Sequence, residues 1–193
     1  MKSSTFIRLL IVFTLIHGLT NAQVSLPRIF SDHMVLQQGI PVPVWGWATK
    51  GEKIQIIFNG QTISTRTDNN GRWKVTLPPM KAGGPFEMTI RGKNTLILHD
   101  ILIGEVWICS GQSNMEWPLS QVKDGANEVA SANYPQIRLF TVPKKISTIP
   151  RNDLDDGKWD LCTPQTAAGF SAVGYFFGRY LHNELKVPVG LIN

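Results

Sequence analysis

Near Gly104 the chain changes its hydrophobic period, and that single change limits it to a mixed fold. From Val24 to about Ile103, apolar and polar residues fall in short runs broken by turn residues, with no helical repeat. Residues 42–48 lead into 53–58, then Asn59-Gly60, then 61–67. Asn-Gly between two β-rich runs marks a hairpin, because both turn positions need positive φ and these residues tolerate it. Asp68-Asn69-Asn70-Gly71 makes a second turn before residues 72–77, where apolar and polar residues alternate. Gly83-Gly84-Pro85 precedes 86–91, and Gly92-Lys93 precedes 94–98. Strands this closely spaced predict an antiparallel β-sandwich over residues 23–103.

After Gly104 the order becomes strand, helix, strand, helix, strand. Residues 105–109 read as a strand; Val122, Ala126, Val129 and Ala130 then recur at helical spacing, and Pro135 stops that helix. Residues 137–142 read as a strand and 143–169 as a long loop rich in Pro, Asp, Thr and Gly. Ser171 is a cap for a second helix, whose apolar stripe is predicted as Val173, Phe176, Phe177, Tyr180, Leu181 and Leu185. Val187-Pro188 ends it, and residues 189–193 begin another strand. This predicts a parallel α/β layer over residues 104–193. It would end on a strand with no helix to cover it.

Residues 1–22 stand apart from both regions. Lys2 and Arg8 precede an apolar run from Leu9 to Ile16 and a small-residue site at Thr20-Asn21-Ala22, the layout of an export signal cleaved before Gln23. The run is shorter than the roughly 20 residues of a membrane helix, although an N-terminal anchor is the alternative. The expectation is a mature chain without a membrane span, periplasmic or secreted. Residues 1–22 hold two of the 19 Lys and Arg and none of the 14 Asp and Glu, leaving 17 against 14, a net +3. The basic residues are dispersed, with no run longer than Lys144-Lys145, so a nucleic-acid partner is not expected.

The chemistry is concentrated between Gly104 and Trp117. A serine in a glycine-containing turn between strand and helix stands clear of the sheet, and backbone N–H groups at the helix start can face an oxyanion. Ser113 has that setting, but Met115 stands where the Gly-x-Ser-x-Gly elbow needs its last glycine. The residues alone leave open whether Ser113 is a nucleophile or a helix-capping serine.

Gly111-Gln112-Ser113-Asn114-Met115 resembles the first sequence block of SGNH/GDSL-type carbohydrate esterases. The longer run from Gly104 to Trp117 resembles the sialate O-acetylesterase family more closely, as do Ile29-Phe30-Ser31-Asp32-His33-Met34-Val35-Leu36-Gln37, Val44-Trp45-Gly46-Trp47-Ala48 and Val187-Pro188-Val189-Gly190-Leu191-Ile192-Asn193. The resemblance implies that residues 104–193 begin a three-layer α/β/α SGNH-hydrolase domain. It implies a serine esterase acting on O-acetylated sialic acid, with Ser113 as nucleophile passing through an acetyl-enzyme and its own N–H donating to the oxyanion. Gly111, Gln112 and Asn114 would support the turn or the oxyanion, and Trp117 would line the substrate site. The family's remaining oxyanion donors, a glycine and an asparagine, and its Asp-x-x-His segment belong to later blocks that these 193 residues do not contain. His33, His99 and His182 all lie outside such a segment, and His182 is expected on the exposed side of its helix. The chain is therefore expected to be an N-terminal fragment, inactive or nearly so alone.

Other residues admit plainer readings. Trp45, Trp47, Trp73, Trp107 and Trp159 are expected to pack the sheets rather than to form a sugar platform. Cys109 and Cys162 read as buried thiols, with a pairing left open. No residue spacing indicates a metal or nucleotide site, so no cofactor is expected, and Asp153-Leu154-Asp155-Asp156 reads as a solvated turn rather than a calcium loop. Glu105 and Glu116 flank the serine turn without a partner carboxylate for glycosidase chemistry. The alternatives to a sialate esterase are an esterase of other acetylated glycans, such as acetylxylan, and a non-catalytic glycan-binding β-sandwich.

Overall fold

A computed structural model describes residues 23–193, so the predicted export signal over 1–22 lies outside the described residues. β2 (Val42–Trp47) and β5 (Arg72–Leu77) pair antiparallel into a two-stranded ribbon. This ribbon packs over a larger sheet containing β3 (Lys53–Phe58), β4 (Gln61–Arg66), β6 (Gly83–Arg91) and the 14-residue β7 (Thr95–Ile108). Asn59 and Gly60, at φ 48° and 72°, form the predicted hairpin turn and set the β3–β4 register at Phe58 opposite Gln61. Asp68 Oδ1 accepts the N–H groups of Asn70 at 2.8 Å and Arg72 at 2.9 Å, closing the second turn.

Alternation places one face of each strand inside. Val44, Trp73, Val75 and Leu77 from the ribbon meet Ile54, Ile56, Met88, Ile90 and Ile103 from the larger sheet in one buried cluster. Each such side chain stabilises the fold by about 1.5–3 kcal/mol. Phe140 and Trp159, from beyond Gly104, join the same cluster.

The sequence reading separates residues 94–98 from 105–109, whereas β7 runs unbroken through both. Its first part pairs antiparallel with β6, and residues 105–108 pair parallel with β10 (Val189–Ile192). Asp100, at φ 54°, lies where the β6–β7 register shifts, and it permits a bend without ending the strand. Beyond β10 the larger sheet continues through β8 (Tyr134–Phe140) and β9 (Trp159–Cys162), so that it runs β4-β3-β6-β7-β10-β8-β9; β1 (Val35–Gln37) lies off this path and pairs parallel with β7. β10 is parallel to both β7 and β8, as the strand–helix alternation predicts.

Arg138 of β8, only 3% exposed, ties the regions together. It binds Asp100 through both guanidinium nitrogens, at 2.8 and 3.1 Å, and donates to the carbonyls of Pro135, His33 and Asp100. His33 Nδ1 is 2.7 Å from the same carboxylate. Burial pushes the Asp100 carboxyl up, but its hydrogen bonds to Arg138 and His33 outweigh this and hold it below the usual value.

Two predictions beyond Gly104 need correction. The stretch read as a loop contains β9 and the short α3 (Pro164–Ala167), started by a Thr163–Thr166 capping box. Its aspartates lie in a largely exposed turn, where Asp155 pairs with Lys145 and Arg151 and Asp153 accepts from the backbone N–H of Arg28. The last helix, α4 (Ala172–Leu185), starts as predicted, with Ser171 Oγ accepting from Gly174 N at 3.1 Å, but it buries a different face. Ala172, Gly174, Tyr175 and Gly178 point inward, while Val173, Phe177, Tyr180 and Leu185 of the predicted stripe are exposed. A Cβ on Gly178 would come within 2.5 Å of Leu191, so the small residues are what allow α4 to lie close on β10. Cys109 and Cys162 are buried free thiols.

Candidate active site

β7 delivers the chain to the carboxyl end of the parallel strands, where open α/β sheets place ligands. Cys109 is buried and donates its N–H to Ile192 O at 2.6 Å; residues 110–114 then emerge exposed. Gln112 is the extended residue before α1 (Ser113–Glu116), so Ser113 opens a helix directly after a strand. Ser113 and Asn114 hold the first two helical positions, where N–H groups have no acceptor within the helix. The N–H of Met115 returns to Gln112 O at 2.9 Å. Gly111 sits over that turn, and a Cβ there would contact Met115 Cβ at 3.4 Å.

The turn is fastened to the start of α4. Ser171 Oγ lies 3.3 Å from Met115 Sδ, Ala172 N–H donates to Trp117 O at 2.8 Å, and Leu119 N–H donates to Phe170 O at 3.0 Å. Trp117 is 52% exposed, and its Nε1 donates to Gln121 O at 3.2 Å. Beside the turn lies an apolar groove of about 250 Å³ lined by Trp107, Ile108, Cys109, Met115, Val173 and Phe177. Trp107 meets Phe177 edge-on at 5.2 Å, fixing one wall. Sequence reasoning assigned Trp107, Val173 and Phe177 to packing; only the orientation of α4 reveals them as groove residues.

The structure brings Gly111, Gln112, Ser113, Asn114 and Trp117 into one segment. Among the described residues, no histidine hydrogen-bonds Ser113. His33 is committed to Asp100, His99 pairs with Glu87 at 3.1 Å, and His182 Nδ1 is 2.8 Å from Val187 O. His182 is half-buried rather than on an exposed face. Glu116 pairs with Lys144 at 2.9 Å, and Glu105 accepts from the side chains of Gln37 and Gln38. Gln37 Oε1 in turn takes the Val106 N–H at 2.8 Å, bracing the strand that leads into the serine turn. Burial pushes the Cys109 thiol up, which leaves it a poor nucleophile beside Ser113.

These elements make up a mixed α/β layer with an exposed serine at its strand-to-helix turn. No established family profile matches the chain. The mouse sialate O-acetylesterase is 35% identical over 184 residues, and the human sialate O-acetylesterase 34% over 182. Each match covers 84% of this chain, which spans only about a third of their length, 34% and 35% respectively. The solved structure of a carbohydrate acetylesterase from Xanthomonas citri superposes with a TM-score of 0.86 at 43% identity, covering 88% of this chain and 40% of that one. The chain belongs to the sialate/carbohydrate O-acetylesterase-like family, over the portion it shares with these longer relatives.

Proposed function

We propose that the chain supplies the nucleophile region of an exported serine esterase that removes O-acetyl groups from sialic acids. The observation that carries this is Ser113: exposed, first in its helix, past the carboxyl end of a parallel strand pair, in a turn whose Met115 lines an apolar groove. Residues 104–193 are read as the start of the α/β/α esterase domain and 23–103 as a β-sandwich that supports it. Two separate hydrophobic clusters favour that division, although Phe140 and Trp159 cross it.

In this mechanism Ser113 Oγ attacks the acetyl carbonyl carbon while its proton passes to a histidine held by an aspartate. The tetrahedral oxyanion faces the Ser113 N–H. Collapse breaks the bond to the sugar oxygen, which takes the proton from the histidine. Water then attacks the acetyl-enzyme and releases acetate. The histidine and aspartate are assigned to sequence outside this chain, because no Asp-x-x-His occurs in it.

The test begins with the DNA downstream of the Asn193 codon, where the reading requires a glycine- and asparagine-bearing block and an Asp-x-x-His. The protein carrying that sequence should release acetate from O-acetylated sialic acid faster than from acetylated xylan. Ser113→Ala should lower kcat by at least about 10³-fold with the melting midpoint unchanged. Acetate release that survives Ser113→Ala would sink the assignment.

A further inference from the structure

The outer face of the β2–β5 ribbon carries residues that the esterase reading does not use. Trp45 lies opposite Lys74 and Trp47 opposite Arg72, so two indoles and two cations alternate outward on a two-stranded sheet. Together with Asp68 and Asn152 they line a cavity of about 340 Å³, within the size range of small-ligand sites. From this face we infer a second, non-catalytic site that binds an acidic saccharide, a sugar ring carrying a carboxylate.

The aromatic surface is fixed in advance. Trp45 meets Phe30 edge-on at 4.7 Å, and the buried Trp73 donates its Nε1 to Trp47 O at 3.3 Å. Gly46 lets the Trp73 ring lie directly beneath, since a Cβ there would approach that ring to 2.8 Å. An indole already held in place loses little conformational entropy when a sugar ring stacks on it.

The polar groups indicate the ligand's sign. Arg72 and Lys74 outnumber Asp68 on the rim, and among the described residues Lys74 has no ion-pair partner. Arg72 presents the planar fork suited to a carboxylate. Asp68 spends Oδ1 on the turn N–H groups of Asn70 and Arg72, which leaves Oδ2 to accept from a sugar hydroxyl. A neutral glycan would use the indole and Asp68 but leave Lys74 unmatched, since Asp68 already offsets part of the Arg72 charge.

The full chain titrated with 3′-sialyllactose, and in parallel with lactose, tests this by saturation-transfer NMR and calorimetry. Saturable binding of sialyllactose in the millimolar range, at least about tenfold tighter than lactose, is expected. Trp45→Ala should abolish it, and Lys74→Glu should remove the preference for the acidic sugar. Because Lys74 is exposed, its variant stays folded and carries the test even if Trp45→Ala does not fold. Equal affinity for lactose, no binding of sialyllactose, or a preference for sialyllactose that persists unchanged in Lys74→Glu would each overturn the inference.

Discussion

The strands before Gly104 and the helix α4 after it bury different kinds of side chain. Before it, large residues point inward: Val44, Ile54, Trp73, Leu77 and Met88 fill the space between ribbon and sheet. After it, α4 turns Ala172, Gly174 and Gly178 inward together with a single large residue, Tyr175, and leaves Val173, Phe177 and Tyr180 outside. A strand has two faces, so alternation decides which residues go in. A helix has several faces, and the distance to its neighbour decides among them. On this helix close approach wins over the size of the apolar residues.

The joint between the regions offers the largest stability effect. Asp100→Asn keeps a residue that tolerates the left-handed backbone at this bend but removes the charge facing Arg138. An almost fully buried guanidinium left without its anion should cost about 3 kcal/mol in denaturant melts at pH 7. The sign of the pH dependence follows from the lowered carboxyl. Its contribution is complete above the ordinary carboxylate value of 3.8 and fades as pH falls through the lower folded-state value. The gap between parent and variant should therefore narrow below about pH 4. A gap that stays constant down to acid pH would show that Asp100 acts through shape rather than charge.

Close packing on the helix gives the next effect. Gly178→Val places a branched side chain where even Cβ meets Leu191, and overpacking of this kind costs about 1–3 kcal/mol. Gly169→Ala is the control, because a Cβ there meets nothing within 4 Å. If the two variants melt alike, close approach is not what selects the buried face of α4.

What could be read in advance divides along the same line. Asn59-Gly60, Asp68–Gly71 and strict alternation are local signals, and they locate β3, β4 and β5 to within a residue. The serine turn was equally local, since a strand-like run followed by Ser-Gly-Gln-Ser suffices to place Ser113 at a helix start. Three features were not local. β7 reads as two runs, 94–98 and 105–109, and only the contacts of Asp100 with Arg138 and His33 show why the strand continues between them. β9 and α3 are four residues each, too short for a period to emerge. The groove beside Ser113 depends on the rotation of α4, which is fixed by glycines whose contribution is the space they leave.

The smallest effect examines the outward face itself. Tyr180 is 64% exposed and Ile108 77%, and Phe177 completes an apolar surface with Trp107. Side chains already in water add little to folding, so Tyr180→Ser should change stability by less than about 0.5 kcal/mol. The same substitution should lower the binding of a hydrophobic dye, because contiguous apolar surface is what such dyes detect. Trp73→Ala, between the ribbon and the larger sheet, should do the reverse, exposing a core that is otherwise sealed. A loss above about 1 kcal/mol for Tyr180→Ser would mean that this face is packed in solution. The contrast between a core of large side chains and a helix seated on small ones would then fail.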